Sequence, residues 1–132
     1  MNSKKFLESY IKNYIKFLDF SNNSADLKKI IKMTDEIMRL SKKNKIIIAG
    51  NGGSASIASH FTVDLSKNTK IKCVNFNEPN LITCFANDFG YENWISNAVK
   101  IYANKKDILI LISSSGKSRN ILNAAFKAKK LV

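Results

Sequence analysis

His60 and Asp64 stand four residues apart in "SASIASHFTVDL" (54–65), and on a helix positions i and i+4 lie about 40° apart around the axis. An imidazole and a carboxylate so placed reach one metal ion or one substrate atom together. The same spacing also makes an ordinary ion pair on a helix surface, so the pair alone leaves both readings open. Just upstream, "GNGGSA" (50–55) holds three of the chain's five glycines. Glycine removes the Cβ atoms that would keep a backbone from approaching an anion. The N–H groups of a first helical turn, here with Ser54 or Ala55 near the N-cap, then face the ligand with the positive end of the helix dipole. The turn has neither the Gly-Lys-Ser/Thr ending of a Walker loop nor GxGxxG spacing. A second such turn, "ISSSGKSRN" (112–120), sets Ser113, Ser114, Ser115 and Ser118 where their hydroxyls and nearby N–H groups offer neutral donors to phosphate oxygens. A serine-rich turn also serves as a plain helix cap.

These groups need elements to position them. "KIIIAG" (45–50), "IKCVNF" (71–76) and "DILILIS" (107–113) are continuous apolar runs of strand length. Helical patterns over Ser54–Ser66 and Ser118–Lys130 follow the first and third, and the excursion 77–106 predicts two helices split by "NDFGY". Apolar strands with helical crossovers predict a parallel sheet, whose ligands sit beyond the carboxyl ends of the strands. That is where both turns lie. Ahead of this region, residues 4–20 carry a wide apolar stripe through Phe6, Tyr10, Tyr14 and Phe17, and a second helix runs from an N-cap at Ser24 to about Leu40. The two predict an N-terminal helical hairpin over 1–42. Its apolar face is broader than one small sheet requires, so an oligomer is expected.

The chain of 132 residues is the size of one domain. Its charge of +12 comes from twenty lysines and two arginines in scattered pairs, a solvated surface rather than the arginine and aromatic cluster of a nucleic-acid reader. No apolar run approaches the roughly 20 residues of a membrane span, and Lys12 and Lys16 interrupt the start, so a cytoplasmic protein is expected. Cys73 and Cys84 have no metal-site spacing and read as small buried residues.

Three segments together resemble one family. "GNGGSASIASHFTVDL", "ANDFGYENWISNAV" and "ILILISSSGKSRNILNAA" are similar, in this order and spacing, to the hallmarks of sugar isomerase (SIS) domains of the phosphoheptose isomerase type. The resemblance covers essentially the whole chain. It implies a flavodoxin-like α/β fold, a homotetramer, and isomerisation of sedoheptulose 7-phosphate to D-glycero-D-manno-heptose 7-phosphate for surface polysaccharides. Carried over by position, it implies that Asn51, Gly52 and Gly53 contact the sugar and that Asn87 and Asp88 reach the substrate from the second loop. Ser113, Ser114, Ser115 and Ser118 would hold the phosphate. His60 and Asp64 would be zinc ligands, with Asp64 also the general base that moves a proton through an enediol. The family typically has glutamate there, one methylene longer.

The family fold continues with further strands and a helix bearing a glutamine and a second histidine, whereas this chain ends at Val132 with His60 its only histidine. The resemblance therefore implies a truncated SIS domain with an incomplete metal site, little turnover of its own, and an exposed "DILILIS" strand prone to association. Two other functions are compatible with the residues: a non-catalytic SIS module that binds a sugar phosphate or a protein partner, and an isomerase of a pentose or hexose phosphate.

Overall fold

The computed structural model describes residues 2–19 and 24–130. The turn of the expected hairpin and the capping side chain expected at Ser24 lie outside the described part. The chain forms two compact units, Met1–Ile37 and Met38–Val132.

In the first unit α1 spans Ser3–Leu18 and starts where the Asn2 side chain accepts hydrogen bonds from the Lys4 and Lys5 amides at 3.1 and 3.3 Å. Helix α2 spans Ser24–Leu40 and runs past the boundary between the units. The apolar stripe of α1 forms as its spacing predicts and stays in water throughout, with Phe17 82% exposed.

The second unit alternates strands and helices: β1 (Ile46–Gly50), α3 (Gly53–Thr69), β2 (Cys73–Asn75), α4 (Pro79–Phe89), α5 (Trp94–Tyr102), β3 (Ile108–Ile112) and α6 (Arg119–Lys129). The strands make a parallel sheet in the order β2-β1-β3, flanked by helices. The central β1 is buried along its whole length, which is why it reads as an unbroken apolar run instead of an alternating one. Ile47 and Ala49 of β1 join Phe76, Trp94, Ile95, Ala98, Val99, Ile121 and Ala124 in the core, so α5 and α6 close on the sheet. Among the described residues, β3 pairs with β1 alone.

The heads of β1 and β3 are joined by Asp107, whose side chain is 5% exposed. Its carboxylate accepts from the Lys45 amide at 3.0 Å and the Asn104 amide at 2.7 Å, and it pairs with the Lys45 ammonium. Burial opposes ionisation of this carboxyl, but the hydrogen bonds and the Lys45 charge outweigh it and hold the group below its ordinary value. A carboxyl with a depressed folded pKa contributes stability that is full above the unfolded value, about 4, and is lost as pH falls through the folded one. Urea unfolding should therefore show stability falling from about pH 4 downward. Asp107→Asn should be less stable at neutral pH and lose part of that acid slope.

Two expectations are corrected. Cys84 is exposed on α4, its thiol 3.8 Å from Asp88 Oδ2, because the apolar face of that helix is supplied by Leu81, Ile82, Phe85 and Ala86. Cys73 is half-buried, and burial pushes its thiol above the ordinary range, with a Ser66 hydrogen bond acting the other way. The N-cap of α3 is Gly52, in the left-handed region at φ 54°, with Ser54 and Ala55 near it as expected, but their amides are not free to face a ligand. The amides of Ser54 and Ala55 are used inside the turn, donating to the carbonyls of Asn51 and Gly52 at 3.0 and 2.9 Å.

Candidate active site

The site is built at the carboxyl ends of β1 and β3. The last residue of β1, Gly50, lies so close to the start of α3 that an added Cβ would stand 2.6 Å from the Ser54 carbonyl carbon and oxygen. From the other side Asn77 clamps it: the Gly50 amide donates to Asn77 Oδ1 at 3.1 Å, and Asn77 Nδ2 donates to the Gly50 carbonyl at 2.7 Å. Strand β2 stops at Asn75, opposite Ile48, and the Asn77 amide group carries the pairing two residues further.

Beyond Gly50 the turn opens. At Gly53 an added Cβ would meet nothing within 4 Å, and φ there is not in the left-handed region, so neither local packing nor backbone conformation demands glycine. Gly52 and Gly116 also face open space, but their positive φ values, 54° and 62°, account for them. In the serine turn, Ser113 Oγ accepts from the Gly116 amide at 3.1 Å and Ser115 Oγ from the Lys117 amide at 3.2 Å. Both hydroxyl protons remain available to an anion. Ser114 is exposed, and Ser118 is the N-cap of α6 without a capping hydrogen bond from its side chain.

The two turns meet through side chains. Asn51 Nδ2 donates to Asn120 Oδ1 at 2.9 Å and Asn120 Nδ2 donates back to Asn51 Oδ1 at 2.8 Å. The loop between α4 and α5 joins them, with the Tyr91 hydroxyl donating to Asn51 Oδ1 at 3.3 Å. Asn123 Nδ2, one turn along α6, donates to the Glu92 carbonyl at 2.9 Å. Tyr91, Asn77 and Asn120 had no assigned role in the sequence reading. The only signal for Tyr91 was its place in "NDFGY".

His60 and Asp64 come together on α3, Nε2 to Oδ2 at 3.5 Å, and with Ser56, Ile57 and Phe61 line an open groove of about 480 Å³. Both are exposed, His60 the more so. Among the described residues no three His, Cys, Asp or Glu side chains converge, so the pair amounts to two donors. A catalytic zinc takes three protein ligands, and the described residues by themselves do not fit one. Asn87 and Asp88 sit exposed at the end of α4, where Asn87 Nδ2 donates to Asp88 Oδ1 at 3.0 Å. Their hydrogen bonds stay within that helix.

A glycine turn and a serine turn at adjacent parallel strand ends define an α/β domain with its candidate site at the carboxyl edge of the sheet. The SIS domain family model matches residues 9–131, and the chain belongs to that family. Its relatives within the family include phosphoheptose isomerases. That of Helicobacter pylori (strain P12) is 37% identical over 86% of this chain and 67% of its own length. Phosphoheptose isomerase 1 of Campylobacter jejuni is 42% identical over 70% of this chain and 53% of its own. The chain thus spans about half to two thirds of the curated relatives it matches. A solved phosphoheptose isomerase from Francisella tularensis superimposes with a TM-score of 0.85 at 27% identity, over 99% of this chain and 72% of that one. The Neisseria gonorrhoeae protein gives 0.85 at 21% identity, over 99% and 71%, a likeness of fold. No helix among the described residues is long and apolar enough to cross a membrane.

Proposed function

We propose that this chain acts in the isomerisation of sedoheptulose 7-phosphate to D-glycero-D-manno-heptose 7-phosphate, supplying the sugar-phosphate cradle and the base. The observation that carries this reading is Gly53, a glycine that the protein's own packing and backbone do not require, beside an empty space at the start of α3. A ligand atom in that space accounts for it. The serine hydroxyls and the first-turn N–H groups of α6 take the phosphate, with the positive end of the helix dipole behind them. The glycine turn takes the sugar end.

In an aldose–ketose exchange, a base removes a proton from C1 of the ketose and returns it to C2, while a hydroxyl proton passes from O1 to O2. We assign the carbon-bound proton to the Asp64 carboxylate, with His60, 3.5 Å away, to orient it. No step is derived through zinc, because His60 and Asp64 are two donors only. That observation also favours a second reading, a sugar-phosphate-binding module without turnover.

The test is Gly53→Ala, followed by calorimetric titration with sedoheptulose 7-phosphate. Its melting temperature should match that of the parent, because beyond its own turn of helix the methyl meets nothing within 4 Å. Its affinity should fall by about tenfold or more, equivalent to about 1.4 kcal/mol. Unchanged affinity would remove the cradle assignment. Isomerase assays on the same samples separate the two readings: binding with turnover supports the enzyme, and binding without it supports the module.

The exposed apolar face of α1, with Phe6, Tyr10, Tyr14 and Phe17, supports assembly into a homo-oligomer, a tetramer on the family pattern. Sedimentation of the purified chain should give a species larger than one copy, and a stable compact monomer would overturn this. A cytoplasmic site of action, in the supply of heptose for surface polysaccharide, belongs to the same proposal.

A further inference from the structure

Asn120 is buried, 3% exposed, and lies in the first turn of α6. Its carboxamide oxygen takes two hydrogen bonds and its nitrogen gives one. Oδ1 accepts from Asn51 Nδ2 at 2.9 Å and from the Ile121 amide at 3.0 Å, and Nδ2 donates to Asn51 Oδ1 at 2.8 Å. Asn51 in turn spends its oxygen on Asn120 and Tyr91 and one of its two amide protons on Asn120. Burial without a partner would penalise either amide, so the reciprocal pair holds both side chains in one orientation.

The position of this pair gives it its consequence. Asn51 is the first residue past β1 and stands directly before Gly52 and Gly53, while Asn120 follows the Ser118 cap of α6 by two residues. The two partners are 69 residues apart in sequence and belong to the two turns that meet the ligand. We propose that Asn120 is a positioning residue: it fixes Asn51, and through it the glycine turn, relative to the serine turn, so that the two turns present one sugar phosphate with a single geometry. This rests on the cradle reading above for its ligand, but the mechanical link is independent of which sugar is bound. A phosphate alone needs the serine turn only, whereas a sugar phosphate needs both in register.

The test uses the full chain, ¹⁵N-labelled, with Asn120→Ala, Asn51→Ala and the double variant, titrated separately with sedoheptulose 7-phosphate and inorganic phosphate. Asn120→Ala should displace the amide resonances of Gly52 and Gly53. It should weaken sedoheptulose 7-phosphate about tenfold, a change equivalent to about 1.4 kcal/mol, while inorganic phosphate affinity stays within about twofold. In the Asn51→Ala background the same change should have little further effect, because Asn120 acts through Asn51. An equal loss in both backgrounds, equal losses for both ligands, or unmoved glycine resonances would overturn the proposal. If the parent chain does not bind sedoheptulose 7-phosphate, the substrate reading fails by itself. The glycine resonances then decide the positioning role, supported by displacement and overturned by constancy. Should Asn120→Ala not fold, Asn120→Asp takes its place: it keeps the acceptor for Asn51 Nδ2 and the Ile121 amide, loses the donor, and should move the same resonances.

Discussion

Trp94→Ala should destabilise the chain by about 3–5 kcal/mol, the range for deleting a large aromatic from a packed core. Trp94 is fully buried, the largest such side chain in the molecule, and packs in one cluster with Ile47, Ala49, Val99 and Ile121. Against the total of about 5–15 kcal/mol typical of a domain, a loss of this size is a substantial fraction of the whole. The effect reaches the site because Trp94 opens α5 directly after the loop that carries Tyr91 and Glu92, the two residues that bond to Asn51 and Asn123. Trp94→Phe provides the contrast. The indole Nε1 is buried without a hydrogen-bond partner, so phenylalanine removes an unsatisfied donor as well as ring volume, and its net loss should be much the smaller. Urea unfolding of the parent and both variants checks the order. Equal losses for Ala and Phe would mean that the indole ring's volume is not what holds this core.

Gly50→Ala should destabilise by about 3 kcal/mol, at the upper end for overpacking, although it adds a single methyl group. The new Cβ would stand 2.6 Å from the backbone of Ser54, and a backbone in the first turn of a helix cannot swing aside as a flexible side chain does. Relief requires either moving α3 away from β1 or breaking the two hydrogen bonds from Asn77. Both displace Gly52 and Gly53. Gly50→Ala should therefore lose both melting temperature and ligand affinity, whereas Gly53→Ala, three residues on, should lose affinity alone. Thermal melts and calorimetry on the two variants read this difference. A Gly50→Ala protein as stable as its parent would show that the strand-to-helix junction is looser than its geometry implies.

Much of this architecture was legible in the sequence because its signals are local. The unbroken apolar run "IIIAG" needs only its neighbours to read as a buried parallel strand, and the apolar stripes of α1 and α2 follow from helical periodicity. The glycine and serine turns were visible as motifs, and four-residue spacing on one helix was enough to bring His60 to Asp64. Local signals failed where a neighbour in space competes. Cys84 has the apolarity of a core residue, yet Leu81, Ile82, Phe85 and Ala86 take the core-facing side of α4 and leave it exposed.

What the sequence by itself determined is the order of the elements, the glycine and serine turns and the His60–Asp64 pair, since each depends on residues within a few positions of one another. The tertiary structure alone decided what holds those turns in place. Asn77 reaches Gly50 only because β2 pairs with β1 in the register that sets Asn75 opposite Ile48. Asn120 reaches Asn51 only because β3 lies beside β1 and α6 starts with that face turned toward the glycine turn. A side-chain amide forms its bonds over about 3 Å, so partners 27 and 69 residues apart are chosen by strand register and helix rotation, which no short stretch of sequence encodes.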